Sequence, residues 1–171
     1  MRAILGHNDV VRLSSKSDYA VRAMAELAAE SPEAASGSGA EDRPRRAEDI
    51  ASAQGIPLKF LLAIFGELKQ AQLVRSRRGP DGGYLLARAP RDITVADILR
   101  ATDGPLANFH DASLRNMTYA GPAESLPDVW MAVRAALRDV LEAVTLADLV
   151  AGKLPKHVRS LASTYQSSLT D

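Results

Sequence analysis

The sequence predicts a mainly α fold: a winged helix-turn-helix domain with a small β-hairpin wing, followed by a long C-terminal helix. Three observations carry that expectation. AEDIASAQ and PLKFLLAIFGELKQ are apolar-striped helical runs separated by Gly55 and Ile56, and short helices joined by a tight glycine turn make a helix-turn-helix. LVRSR and YLLAR then mirror each other across Gly79-Pro80-Asp81-Gly82-Gly83, two strand-like runs joined by turn residues. Further on, Trp130, Val133, Leu137, Val140 and Val144 recur at steps of three, four, three and four, which is a heptad seam.

The first helix is expected over Ser17–Glu30, capped by Ser15 or Ser17, with Ala20, Ala23, Met24, Leu27 and Ala28 as its buried stripe. Lys16 and Tyr19 at its start could meet a phosphate, and the plainer reading of Tyr19 is half-buried packing. Residues 31–46 are rich in Pro, Ser, Gly and charge and read as a flexible loop, with Arg43, Arg45 and Arg46 either solvated or touching a polyanion. Ala47–Gln54 is a short helix with Ile50, Ala51 and Gln54 on its inner side, and Gly55 ends it. The next helix starts at Pro57, tolerated in a first turn because that N–H has no helical partner. Leu61, Ile64, Phe65 and Leu68 form its core face, and Lys59, Ala63, Gly66 and Gln70 its outer one. Such a second helix enters the DNA major groove with its first residues toward the bases. The hairpin carries Arg75, Arg77 and Arg78 near its tip, a cluster that reads either as a solvated charge run or as a DNA contact.

After the hairpin, Thr94 and Asp97 make a capping box for a helix striped by Val95, Ile98, Leu99 and Thr102, stopped by Gly104-Pro105. Residues 106–126 have no period and form a long loop, the kind that is commonly functional. There His110, Met117, Tyr119 and Trp130 are candidates for a small-molecule effector pocket, with filling of the dimer core as the plainer role of Tyr119 and Trp130. Ser125 and Asp128 read as a second capping box ahead of the heptad helix, with Pro127 in its first turn. That seam is more easily buried against a second copy of the chain than against a small winged helix. Thr145 and Asp148 cap a last short turn that Gly152 ends. The expected division is therefore an extension over 1–10, a winged helix-turn-helix domain over 11–104, a sensor or linker loop over 105–126, a dimerisation helix over 127–152 and a tail over 153–171, helical from Lys156 to Tyr165.

Composition narrows the function. The chain has 171 residues and a formal net charge of zero, so whole-molecule steering of a polyanion is weak and nucleic-acid contact rests on the local arginine clusters. It has no cysteine, which excludes disulfides, thiolate zinc sites and cysteine-ligated iron–sulfur clusters. No apolar run reaches membrane-spanning length and the start has no signal-peptide pattern, so a soluble cytoplasmic protein without a membrane partner is expected. No Ser/His/Asp set, P-loop or metal-ligand spacing occurs, and His7, His110 and His157 stand apart, so no enzyme, cofactor or metal site is expected.

Taken together, RLSSKSDYAVRAM, EDIASAQGIPLKFL, LVRSRRGPDGGYLLAR, ITVADILRATDGP and VTLADL resemble the Rrf-type (IscR/NsrR/CymR-like) winged-helix regulators of bacteria, with RGPDGGYLLAR the most specific part. The resemblance implies a homodimeric transcription factor, usually a repressor, acting on a near-palindromic operator in double-stranded DNA. Carried onto this chain, it places DNA contacts at Lys16 and Tyr19, at Pro57, Lys59 and Phe60, and in the wing at Arg78 with the turn from Gly79 to Gly83, Gly79, Gly82 and Gly83 among them; Arg75, Arg77 and Tyr84 of the hairpin are further candidates. It places the dimer interface on the Trp130–Val144 seam. Regulation by a partner protein is the alternative to a small-molecule effector. A protein-interaction module that keeps the winged shape without binding DNA is the alternative function. Two departures stand out. Where iron–sulfur members carry cysteines and a histidine before the long helix, this chain has Thr118, Glu124 and Pro127, with a further position near Ala112, so the resemblance implies a member without a cluster. And Leu62 and Ala63 occupy base-facing positions of the second helix, where they can touch a thymine methyl but cannot hydrogen-bond a base edge.

Overall fold

The computed structural model of the chain describes residues 14–31, 43–105 and 118–168. Helix α1 (Ser15–Ala29) buries Ala20, Ala23, Met24, Leu27 and Ala28, the expected stripe. Its N-cap is Ser14, not Ser15 or Ser17: Ser14 is extended and its hydroxyl accepts the Ser17 N–H. The Ser17 side chain is instead buried, bonded to the Thr102 hydroxyl at 2.9 Å and donating to Asp103 Oδ2 at 2.6 Å.

Helix α2 (Ala47–Gln54) ends at Gly55 in the left-handed conformation, at φ 62°. The chain bends by 118° into helix α3 (Leu58–Gln70), within the range of helix-turn-helix pairs. Ile56, 4% exposed, plugs the turn. Pro57 is the N-cap of α3 and lies outside its first turn, with ψ at 125°. Leu61, Ile64, Phe65 and Leu68 are buried. Strands β1 (Val74–Arg77) and β2 (Gly83–Leu86) pair antiparallel, Val74 with Leu86 and Ser76 with Tyr84. Strand side chains alternate, so Val74, Ser76, Tyr84 and Leu86 share the face toward α3, and Arg75 and Arg77 share the other. Tyr84 stacks on Phe65, ring centroids 4.1 Å apart. The hairpin is thereby fastened to the back of α3.

A 3₁₀ turn at Pro90–Asp92 leads to helix α4 (Val95–Asp103), whose Thr94/Asp97 capping box is present as expected. Its stripe is shifted: Ala96 is buried with Ile98, Leu99 and Thr102, while Val95 is half-buried. Helix α5 (Leu126–Ala143) buries none of its residues, and Val129, Met131 and Val133 are 50%, 43% and 38% exposed. The Ser125/Asp128 capping box is not formed. Ser125 already has helical φ and ψ, whereas a capping side chain needs an extended backbone to reach forward. Val144 also departs from expectation. It leaves the helix with an extended backbone, is 6% exposed, and its carbonyl accepts the Val95 N–H, so it belongs to the chain's own core and not to a seam on α5. Thr145 caps helix α6 (Leu146–Ala151) with Asp148, and Leu146 is fully buried. The segment read as a tail contains a 13-residue helix, α7 (Lys156–Ser168), with no buried residue. Among the described residues no single helix is long and apolar enough to cross a membrane.

Candidate nucleic-acid interface

The start of α3 is bare. Pro57, Leu58, Lys59 and Phe60 are all exposed, Phe60 by 63%, because the apolar period of the helix begins only at Leu61. Leu62 is 45% exposed and Ala63 is exposed as well. The first turn of α3 therefore offers one cation and several apolar side chains, a surface suited to thymine methyls and phosphate more than to base-edge hydrogen bonds.

The wing is held at three places. Lys69 of α3 donates to Ser76 Oγ of β1 at 3.0 Å. Tyr84 stacks on Phe65. The third place was not legible in the sequence: Arg45, in the segment read as a flexible loop, bridges to Tyr84 like a third strand, with N–H to O distances of 3.0 and 2.8 Å in the two directions. Its guanidinium pairs with Glu26 at 3.2 Å and Glu30 at 3.1 Å. Arg45 is thus a structural pin between α1 and the wing, neither solvated nor offered to a polyanion. Arg46 next to it donates to the Pro80 carbonyl at 2.6 Å, steadying the hairpin tip. Residues 32–42 of the loop lie outside the described residues.

These contacts sort the expected wing residues. Arg75, Arg77 and Arg78 are exposed, and Arg75 Nε also donates to the Leu86 carbonyl at 3.2 Å. Gly79, at φ 111°, is a conformation that side chains resist. At Gly82 a Cβ would lie 2.5 Å from the Arg77 carbonyl oxygen, and at Gly83 it would strike the Arg45 backbone. Gly82, Gly83 and the inward-turned Tyr84 thus have structural roles that account for them. The Tyr84 ring stacks on Phe65 and so holds the wing to α3.

On α1, Lys16 pairs with Glu67 of α3 at 3.2 Å and lies 3.9 Å from Asp103. Tyr19 is half-buried against the core, with the Arg22 guanidinium 5.6 Å from its ring centroid. Both residues serve the packing of α1 on the rest of the domain. Of the effector candidates, Tyr119 and Trp130 are half-buried, and His110 and Met117 lie outside the described residues.

Comparison with known proteins agrees with this geometry. The model of the Rrf2 family, described as iron-dependent transcriptional regulators, matches residues 13–152. Rv1287 of Mycobacterium tuberculosis, named for an HTH-type transcriptional regulator, is 48% identical over 157 residues, 92% of each chain. IscR of Pectobacterium carotovorum is 34% identical over 146 residues, covering 84% of this chain and 81% of its own. Among solved structures, CymR of B. subtilis, titled the global cysteine regulator, aligns with a TM-score of 0.63 at 30% identity, over 83% of this chain and 98% of its own. IscR of T. potens does so at 0.63 and 32%, over 83% and 88%.

The iron in that family description finds no set of ligands among the described residues. The chain has no cysteine, Glu124 is exposed, and Pro127, which has no ligating atom, sits in the first turn of α5. Among the described residues no three His, Asp or Glu side chains gather as a metal site. An iron–sulfur cluster does not fit these residues.

Proposed function

The chain belongs to the Rrf2 family of transcriptional regulators, and from that premise we propose that it is a homodimeric repressor that binds a near-palindromic operator in double-stranded DNA without an iron–sulfur cluster. The observation that carries the reading is the pairing of a bare α3 start, at Lys59 and Phe60, with an arginine-bearing wing pinned to the back of the same helix. Such a unit presents helix and wing in a fixed relation, as two-point contact with a duplex requires. Two-fold symmetry then calls for half-sites about 34–36 Å apart.

The dimer is supported by α5. An 18-residue helix with no buried residue and Val129 and Val133, one turn apart on the same side, uncovered has an apolar face for a second copy. The protein is not an enzyme: its relatives are regulators, and in this reading it works in the cytoplasm, where its operator is.

A gel-shift titration of the chain's own upstream region at rising salt tests the proposal. A specific complex whose affinity falls steeply with salt is expected, since phosphate contacts release counterions. A second reading, a protein-interaction module without DNA binding, is favoured by the exposed Phe60 and Leu62. Absence of any salt-sensitive complex, there or with genomic fragments, selects it.

A further inference from the structure

Between the end of α4 and the flank of α5 lies a cleft of about 440 Å³, lined by Arg100, Gly104, Pro105, Arg134 and Arg138. Its size lies in the range of sites for small metabolites, about 300–1,000 Å³. Three of its five described lining residues are arginines, and none of them belongs to the DNA-facing surface described above. Arg134 and Arg138 are one turn apart on α5 and so turn toward the same side of the helix. We propose that this cleft binds a small polyanionic metabolite, one carrying at least two carboxylate or phosphate groups.

The chemistry on its walls supports such a ligand. Glu142, one turn beyond Arg138, is not itself on the cleft wall. It accepts hydrogen bonds from Arg100 Nη2 and from Arg138 Nε at 3.0 Å, and Arg100 Nη1 also lies 3.7 Å from Asp97. Each guanidinium has five N–H donors in a rigid fork, and one or two fixed by a carboxylate orient the remainder. Forked donors from two elements recognise planar carboxylates and phosphates in bidentate fashion. The carbonyl end of α4, about half an elementary charge, works against an anion, and Glu142 and Asp97 offset part of the arginines' charge, so the ligand is recognised by the forked donors more than by net charge. Gly104, at φ 80°, ends α4 and opens the cleft, and Pro105 adds an apolar wall without a donor.

The position gives such a ligand something to regulate. α4 is packed on α1 and α3 through Ala96, Ile98, Leu99 and Thr102, whereas α5 buries nothing. One link between them at this end is the Arg100–Glu142–Arg138 bridge. An anion seated on Arg100 and Arg138 competes with Glu142 and shifts α5 relative to the α3-bearing body. This regulatory consequence rests on the operator-binding reading; the binding of the anion does not.

Isothermal titration of the full chain with citrate and, separately, with pyrophosphate, at ionic strength held constant with sodium chloride, tests the site. Saturable binding of at least one of them is expected, weakened about tenfold or more by Arg134→Ala and partly restored by Arg134→Lys, with circular dichroism confirming that each variant folds. Citrate without pyrophosphate assigns a carboxylate ligand, the reverse a phosphate. No saturable heat with either probe at millimolar concentration, or binding that Arg134→Ala and Arg138→Ala leave unchanged, overturns the proposal. So does weaker operator binding by these variants in the absence of any bound anion, which would make the cleft a contact for the DNA backbone.

Discussion

At Gly83 the wing has no room for a side chain, because the Arg45 backbone passes over it to pair with Tyr84. Gly83→Ala must push that strand away, at a cost of about 1–3 kcal/mol of overpacking. The expected result is a melting temperature lower by several degrees and a weaker operator complex, read by calorimetry and gel shift. A variant that melts with the wild type would remove the pin from the account. Arg78 is the opposite kind of residue. It is exposed and has no ion-pair partner among the described residues, so its removal leaves the fold alone. Arg78→Ala is expected to lose about tenfold in operator affinity and to flatten the salt slope by about one, with the melting temperature unchanged. The two substitutions separate a wing that is mis-shaped from a wing that has lost a contact.

Among the elements, α4 and α5 meet at a joint made of charge. The Glu142 carboxyl is held below the usual carboxylate range, chiefly by the hydrogen bond from Arg100 and then by that from Arg138. A carboxyl whose folded-state value is depressed contributes stability that is complete above its unfolded value, about 4.3. That contribution is lost as the pH falls through the folded value. Solvent screens so exposed a pair, so the effect is small. Melting curves taken toward acid pH are expected to converge for wild type and Glu142→Gln, after differing near neutrality. Curves that stay parallel throughout would show that the bridge adds nothing to the joint. By contrast, the joint between α3 and the wing is made of the Phe65–Tyr84 stack and the Lys69–Ser76 hydrogen bond, neither of which involves a carboxylate.

For the whole molecule, the decisive question is what covers α5. The domain around α1, α3 and α4 has its own core, with Met24, Ile50, Leu61, Phe65, Leu68 and Ile98 almost fully buried. α5 contributes nothing to it and is anchored at its far end by Val144 and Leu146. Val133→Glu, at the middle of the uncovered face, is expected to convert a dimer into a monomer in light scattering coupled to gel filtration. An unchanged mass would place the interface elsewhere. Since a dimer doubles the number of wing and helix contacts, the monomer should also lose most of its operator affinity.

Local pattern determined much of this molecule. The 3.6-residue period in α1 and α3, the glycine after α2, the two capping boxes at Thr94 and Thr145 and the turn residues of the wing each act within a few positions of one another, so the chain alone specifies them. The family resemblance rests on those same segments. What the tertiary structure decided were contacts between distant residues. Arg45 looked like loop charge until strand pairing with Tyr84 brought it beside Glu26 and Glu30. Val144 continued a heptad in the sequence, but the bond from Val95 draws it out of α5 and into the core. Arg100, Arg134 and Arg138 share a cleft only because α4 and α5 meet there. Periodicity records which face of a segment is apolar; it carries no record of which distant backbone or charge that segment will meet.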